Sequence, residues 1–269
     1  MKNTARHLAA GILALVFSAS LLAGLLSPAR YDQQFRDFPN ASPSRQFPLG
    51  TDELGRDRLS RLLYGSRVSL LLAPAAALLA TLLAGVLGAT AGYLGGSPER
   101  LAAASMDLFL SLPWLFLLVT VRATLPLNVS PLVSLGITFL LLGALGWAAP
   151  ARVVRAGTAA LRDSEFILAA RACGCRSSRL LLRHVLPNLK PVLSAQFWIS
   201  IPVFIVSEAN LGLLGLGVAE PLPSWGNLLR ELENYQAVLA NPCRLAPLFL
   251  LVLVMGCFQA ILPREDFTA

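Results

Sequence analysis

Residues 164–187 read SEFILAARACGCRSSRLLLRHVLP, a basic stretch set between long apolar runs. Placed at about 100° per residue, the segment 162–173 gathers Phe166, Ala169, Ala170 and Cys173 on one side, with Glu165 and Arg171 turned away. That is the pattern of a short amphipathic helix. Gly174 follows as its terminator, because glycine accepts the left-handed conformation just past a helix end. A second apolar and basic run, 180–186, leads to Pro187. On the residues alone two readings stand level: a surface helix whose arginines meet anionic headgroups, and a helix that docks on a protein partner.

Working outward, the 269 residues are 55% hydrophobic and 14% charged, with mean hydropathy +0.65. That is too little polar surface for a water-soluble globule of this size. A spanning helix needs about 20 apolar residues, and six windows of roughly that kind occur. They are 8–26, 68–94 with Pro74 inside, 101–121 crossing Asp107 and Pro113, 132–149, 192–206 with a Gly-rich continuation, and 245–262. The alternating pattern of a membrane barrel is absent, which leaves an all-α, polytopic membrane protein of six transmembrane helices. The first window follows Lys2 and Arg6 and precedes Ser27-Pro28-Ala29, but its length exceeds the roughly 7–15 residues of a signal core, so it reads as a retained span. The expected organisation is a first helix and connecting segment (1–67), a five-helix core (68–262) carrying the loop 150–190, and a short tail (263–269).

Charge orients these spans. The loop 150–190 holds Arg152, Arg155, Arg162, Arg171, Arg176, Arg179, Arg183 and Lys190 against Asp163 and Glu165, a net +6 that places it in the cytoplasm. Residues 208–244 carry a net −2 and suit the outer side, so both termini read as cytoplasmic. The connection 27–67, with seven arginines against five acids, then lies outside, as long loops translocate largely regardless of charge. The chain's net +7 is thus an orientation signal, and no aromatic and basic motif points to nucleic acid. Cys173, Cys175, Cys243 and Cys257 have no paired C-x-x-C spacing and only His7 and His184 accompany them, so neither a disulfide framework nor a metal site is expected. The only lysines precede Asn3 and Pro191, whereas a phosphate loop needs lysine before serine or threonine. Within the spans Asp107, Gln196 and Gln259, and at the outer end of the fifth Glu208, are candidates for a translocation path, or for helix–helix hydrogen bonds. Pro74, Pro113 and Pro202 are candidate kinks, and the glycines of 212–217 suit close helix approach or a helix break.

Leu168-Ala169-Ala170 with Gly174 behind it, then Leu186-Pro187, resembles the Glu-Ala-Ala loop of type I ABC importer permeases. Residues 47–67, FPLGTDELGRDRLSRLLYGSR, are similar to the block ahead of the second span in peptide and nickel permeases. Residues 208–217, EANLGLLGLG, followed by Pro223-Ser224-Trp225-Gly226, are similar to the block after their fifth span. With all three in the family's order, the chain resembles the second, C-type permease subunit of a dipeptide, oligopeptide or nickel importer. The resemblance implies the type I importer permease fold, residence in the cell inner membrane amid lipid, and a transport subunit that is not itself an enzyme. It implies as partners a second homologous permease, two ATPase subunits and an extracytoplasmic solute-binding protein. No cofactor is implied for this chain, ATP and Mg being used by the ATPases. The ATPase-coupling residues would be Glu165, Phe166, Leu168, Ala169, Ala170, Arg171, Gly174, Leu186 and Pro187, with Arg162 and Arg171 as flanking charges for register. Leu168 departs from the pattern, since the family usually has glutamate there; Glu165, one turn earlier, is the nearest carboxylate. The end of the chain departs too: 256–269 reads GCFQAILPREDFTA in place of the family's Gly-Asp and Leu-Arg-Asp segment, and the last helix is expected to end near Pro263. An ion-coupled secondary transporter, with Asp107 and Glu208 as relay groups, and a non-transporting scaffold are the rival readings.

Overall fold

Where no water reaches, every backbone polar group must be satisfied within its own segment, and the chain is built accordingly. The computed structural model describes residues 2–261. Its longer helices are α1 (Lys2–Leu21), α2 (Arg58–Leu94), α3 (Gly96–Ser111), α4 (Trp114–Thr124), α5 (Pro131–Leu145), α6 (Ala148–Arg162), α7 (Glu165–Ala172), α8 (Lys190–Leu213), α9 (Trp225–Arg230), α10 (Tyr235–Ala240) and α11 (Ala246–Ile261). Among the described residues the only β pairing is two isolated bridges, Gln34 with Arg56 and Thr51 with Asp57. Five helical stretches are long and apolar enough to span: α1, α2, α5 with α6, α8, and α11 with the turn before it. The pair α3 and α4, bent by 87°, is the sixth if counted as one span. The expected end of the last helix near Pro263, and the tail 263–269, lie outside the described residues.

Each departure from the sequence boundaries has a local cause. Pro113 breaks its span, since the residue before a proline is pushed to extended backbone and Leu112 sits at φ −81°, ψ 134°. Pro74 and Pro202, by contrast, lie inside unbroken helices. Helix α2 begins ten residues before the apolar window because Asp57 caps it: its Oδ2 accepts from the Ser60 backbone N–H at 2.7 Å and the Ser60 hydroxyl at 2.6 Å. At 37 residues α2 is about 55 Å long against about 30 Å of hydrocarbon, so its arginine-bearing first turns stand beyond the apolar zone. Helix α8 likewise runs on to Leu213, which puts Glu208 inside the helix rather than at its outer end.

The described residues fall into two compact units, one drawn from 2–73, 123–138 and 205–261 and the other from 74–122 and 139–204. In the second unit α2 turns a small-residue face inward. Ala76, Ala77, Ala80, Ala84, Ala89 and Ala91 are buried, while Leu78, Leu82, Val86 and Leu87 are exposed. Lipid tails are as apolar as leucine, so little is gained by hiding leucines between membrane helices; association depends on close backbone approach. Gly88 and Gly92, a G-x-x-x-G pair, supply it: a Cβ on Gly88 would strike the Ala151 carbonyl and Val154, and one on Gly92 the Arg155 carbonyl and Thr158. Gly143 brings α5 equally close to Ala76 and Leu79. In the first unit α1 packs along α11, and Gly212 of α8 lies directly on Gly226 of α9. Past Leu213 the chain turns through Gly215, whose φ of 74° suits glycine. The 212–217 glycines thus provide both the close approach and the helix break.

A methyl at Gly88 has no room to enter, and overpacking of this kind costs about 1–3 kcal/mol. Gly88→Ala is expected to lower the thermal unfolding midpoint of the detergent-solubilised protein measurably. Gly11→Ala, where nothing lies within 4 Å of the added carbon, should leave it unchanged.

Candidate functional site

The stretch 164–187 builds a rigid knob. Helix α7 is pinned by Ile167, which is fully buried in a cluster with Ala89, Tyr93, Val154, Leu180, Val185 and Leu189; Ala170, Cys175 and Leu186 pack against it. The helix closes with a Schellman motif: the Cys175 N–H reaches the Ala170 carbonyl at 3.1 Å and the Gly174 N–H the Arg171 carbonyl at 3.0 Å, with Gly174 at φ 78°. The Arg171 guanidinium lies 5.9 Å from the centre of the Tyr93 ring, within cation–π range. A π-helical turn, Leu181–Val185, then carries the chain to Leu186 and the exposed Pro187.

This arrangement corrects the helical-wheel reading. Ala170 belongs to the inward side with Ile167, not to the face of Phe166, because a helix of eight residues takes its rotation from the one large side chain it buries. The outward face comprises Glu165, Phe166 (44% exposed), Leu168 (47% exposed), Ala169 and Cys173. It is apolar apart from one carboxylate. Arg162 is engaged within the chain, donating to the Gly92 carbonyl at 3.2 Å and lying 3.6 Å from Glu99, whereas Arg171, over the Tyr93 ring, is exposed.

Glu99, in the first turn of α3, is a residue beside this loop that the sequence reading missed. Its Oε1 accepts from Arg155 at 2.8 Å and its Oε2 faces Arg162. An acid just after Gly95-Gly96, opening a helix opposite an arginine-bearing one, was the available signal. Further along the same two helices Asp107 meets Arg152 at 3.4 Å, with side chains 60% and 59% exposed. Facing lipid near the bilayer centre, each such group would cost about 2.5–3.5 kcal/mol. Gln196 of α8 is half-buried and Gln259 of α11 is exposed.

Glu208 is placed differently. It is fully buried and accepts from the Ser69 hydroxyl of α2 at 3.0 Å; Ser69 in turn accepts from the Trp225 backbone N–H at 3.2 Å, and Ser66 accepts from the Trp225 indole at 2.9 Å. This is a helix–helix network. Nearby in sequence, Asp52 binds Arg56 at 2.6 Å, Arg56 binds Glu220 at 2.6 Å, and the fully buried Arg61 binds Glu220 at 2.9 Å. Arg58 reaches Glu231. Burial by itself would push the Glu220 carboxyl up, but the hydrogen bonds and charges of Arg61 and Arg56 outweigh it and hold the group below its usual range. For Arg56, burial opposes its charge, yet Asp52 and Glu220 raise it above the usual arginine value. The blocks 47–67 and 208–226, far apart in sequence, are thus interlocked with each other. No group of three His, Cys, Asp or Glu among the described residues is placed to hold a metal ion.

Comparison with known proteins agrees with this architecture. The model of the family described as binding-protein-dependent transport system inner membrane component matches residues 57–264. The chain is 31% identical to the oligopeptide transport system permease protein OppC of Haemophilus influenzae, over 93% of this chain and 79% of that one. It is 36% identical to the di/tripeptide transport system permease protein DppC of Pseudomonas aeruginosa, over 83% and 74%, and 33% identical to OppC of Escherichia coli, over 97% and 85%.

Because the folded Glu220 lies below its unfolded value, its contribution is complete above the ordinary glutamate pKa of about 4.3 and is lost as pH falls through the folded value. Glu220→Gln should lower the unfolding midpoint at pH 7 and flatten its fall below about pH 4.3. The loss should stay under the ~3–5 kcal/mol of a fully buried broken pair, since the Glu220 side chain is 49% exposed.

Proposed function

Since the chain belongs to the family of binding-protein-dependent transport system inner membrane components, and is a multi-pass inner-membrane permease of an importer, we propose that its cargo is di- or oligopeptides. In this proposal it supplies half of a pore completed by a second, homologous permease. Two ATPase subunits would drive it from the cytoplasm, and a solute-binding protein would deliver the peptide from outside. The support for peptides is the peptide-permease relatives, each matched along most of its length. Membership sets the chain among binding-protein-dependent importers and apart from ion-coupled transporters and scaffolds.

The observation that carries the mechanism is the outward face of α7. Phe166, Leu168, Ala169 and Cys173 present an apolar surface on a helix whose inner side is locked by Ile167 and the Schellman turn. A helix laid in a groove draws affinity from such a face. Anchored through Arg171 on Tyr93 and through Arg155 and Arg162 on Glu99, it would pass ATPase movement to α2, α3 and α6 as a rigid body. Glu165 is the exposed carboxylate of this face and stands in for the glutamate missing at Leu168. On this reading both termini and the loop that follows Arg162 are cytoplasmic, Arg152 itself lying in the helical stretch 131–162; the Asp52–Arg61–Glu220 cluster lies outside, and Asp107, Gln196 and Gln259 are the path-facing polar groups, while Glu208 is held in its own helix–helix network.

Gly174→Asp, which forces a side chain onto a left-handed backbone and adds a charge beside the docking face, is expected to abolish solute-stimulated ATP hydrolysis in the reconstituted complex. Leu168→Glu should maintain or raise it. Wild-type rates in Gly174→Asp would contradict the docking role.

A further inference from the structure

The ion pair of Asp107 on α3 and Arg152 on α6 is not explained by packing. At 3.4 Å it is looser than the roughly 2.7–2.9 Å of a charge-assisted hydrogen bond, and its side chains are 60% and 59% exposed. Depth can be read from the neighbouring helix. Ala151, adjacent to Arg152, lies against Gly88, six residues before the end of α2 at Leu94, or about 9 Å along the helix. The pair therefore sits within the span. It contrasts with the more sheltered cluster of Glu99, Arg155 and Arg162, whose side chains are mostly covered and mutually paired. Exposed ionic groups at membrane depth face a bundle interior or a water-filled cavity.

We propose that Asp107 and Arg152 form a solute subsite in the translocation path, Asp107 receiving the α-ammonium group and Arg152 the α-carboxylate of a peptide with free ends. The inference rests on the peptide-import reading above. Two opposite charges held loosely on separate helices offer complementary partners to a zwitterion. Being jointly neutral, they do not trap an ion of either sign. Their mutual contact closes the site when it is empty, and the two termini of a peptide, spaced by about 3.5 Å per residue, part them when it is filled.

The test uses the full reconstituted complex with the four native cysteines replaced, carrying Ser111→Cys or Ala149→Cys, exposed positions one turn from Asp107 and Arg152 that leave both charges in place, and a charged, membrane-impermeant thiol reagent. Both cysteines are expected to be labelled. Alanyl-alanine at millimolar concentration should slow labelling at least threefold, and N-acetyl-alanyl-alanine amide should not. No labelling, or labelling indifferent to alanyl-alanine, overturns the subsite, the first outcome placing the pair against lipid or the second permease. In a second arm, Asp107→Asn and Arg152→Gln should each lower alanyl-alanine uptake at saturating binding protein at least fivefold while the subunits still co-purify; undiminished uptake overturns the subsite. Wild-type uptake is measured alongside. If the wild type itself shows no ATP-driven uptake of peptide, the import reading fails; wild-type uptake with unprotected cysteines sinks only the subsite.

Discussion

Over residues 73–92 helix α2 can be packed closely by other helices only because the side chains it turns inward there are, Thr81 apart, alanine and glycine. In a soluble protein a leucine-rich face would be drawn inside by water; in a bilayer it gains nothing there, and packing must come from backbone proximity. The buried alanines from Ala76 to Ala91, with Gly88 and Gly92, meet that constraint, and Leu78, Leu82 and Leu87 of the same stretch face outward. The Ala151 and Arg155 carbonyls rest where Cβ atoms would otherwise stand, which fixes α6 against α2. The loop that follows α6 inherits this placement.

Charge is distributed in a complementary way. The arginines that carry the chain's basic character are in good part engaged within the fold. Arg56, Arg58 and Arg61 tie the segment before α2 to Glu220 and Glu231, and Arg155 and Arg162 converge on Glu99. Arg171 lies over Tyr93. These arginines hold structure, while the outward side of α7 is left apolar and exposed. Between them the Asp107–Arg152 pair stands out as exposed and loosely bound.

How much of this was legible varies with the range of the interaction involved. Spans announce themselves through composition. The terminator Gly174 is a local requirement of left-handed backbone and could be placed from sequence. The start of α2 was hidden because hydropathy stops at Arg67, although Asp57 carried a capping signal that composition does not weigh. The rotation of α7 was misjudged because periodicity sees an apolar arc but not which member of it is buried; Ile167 settles that through a cluster whose other members come from α2, α6 and the run 180–189. The pairing of Glu99 with Arg155 and Arg162, and the contact of Arg171 with Tyr93, join helices distant in sequence, and the acid opening a helix after Gly95-Gly96 was their one local sign.

The sequence by itself determined the membrane setting, the helical class, the position of the basic loop and the resemblance of its three blocks, because each depends on composition or on a few neighbouring residues. Tertiary structure alone decided which polar groups are buried in packing and which are left exposed. Glu208 is sealed beneath Ser69, whereas Asp107, equally polar and equally within a span, is set on an exposed face opposite Arg152. The physical reason is that the environment of an intramembrane charge is set by the helix packed against it, and that neighbour is chosen by the close approach of small residues rather than by anything adjacent in the chain.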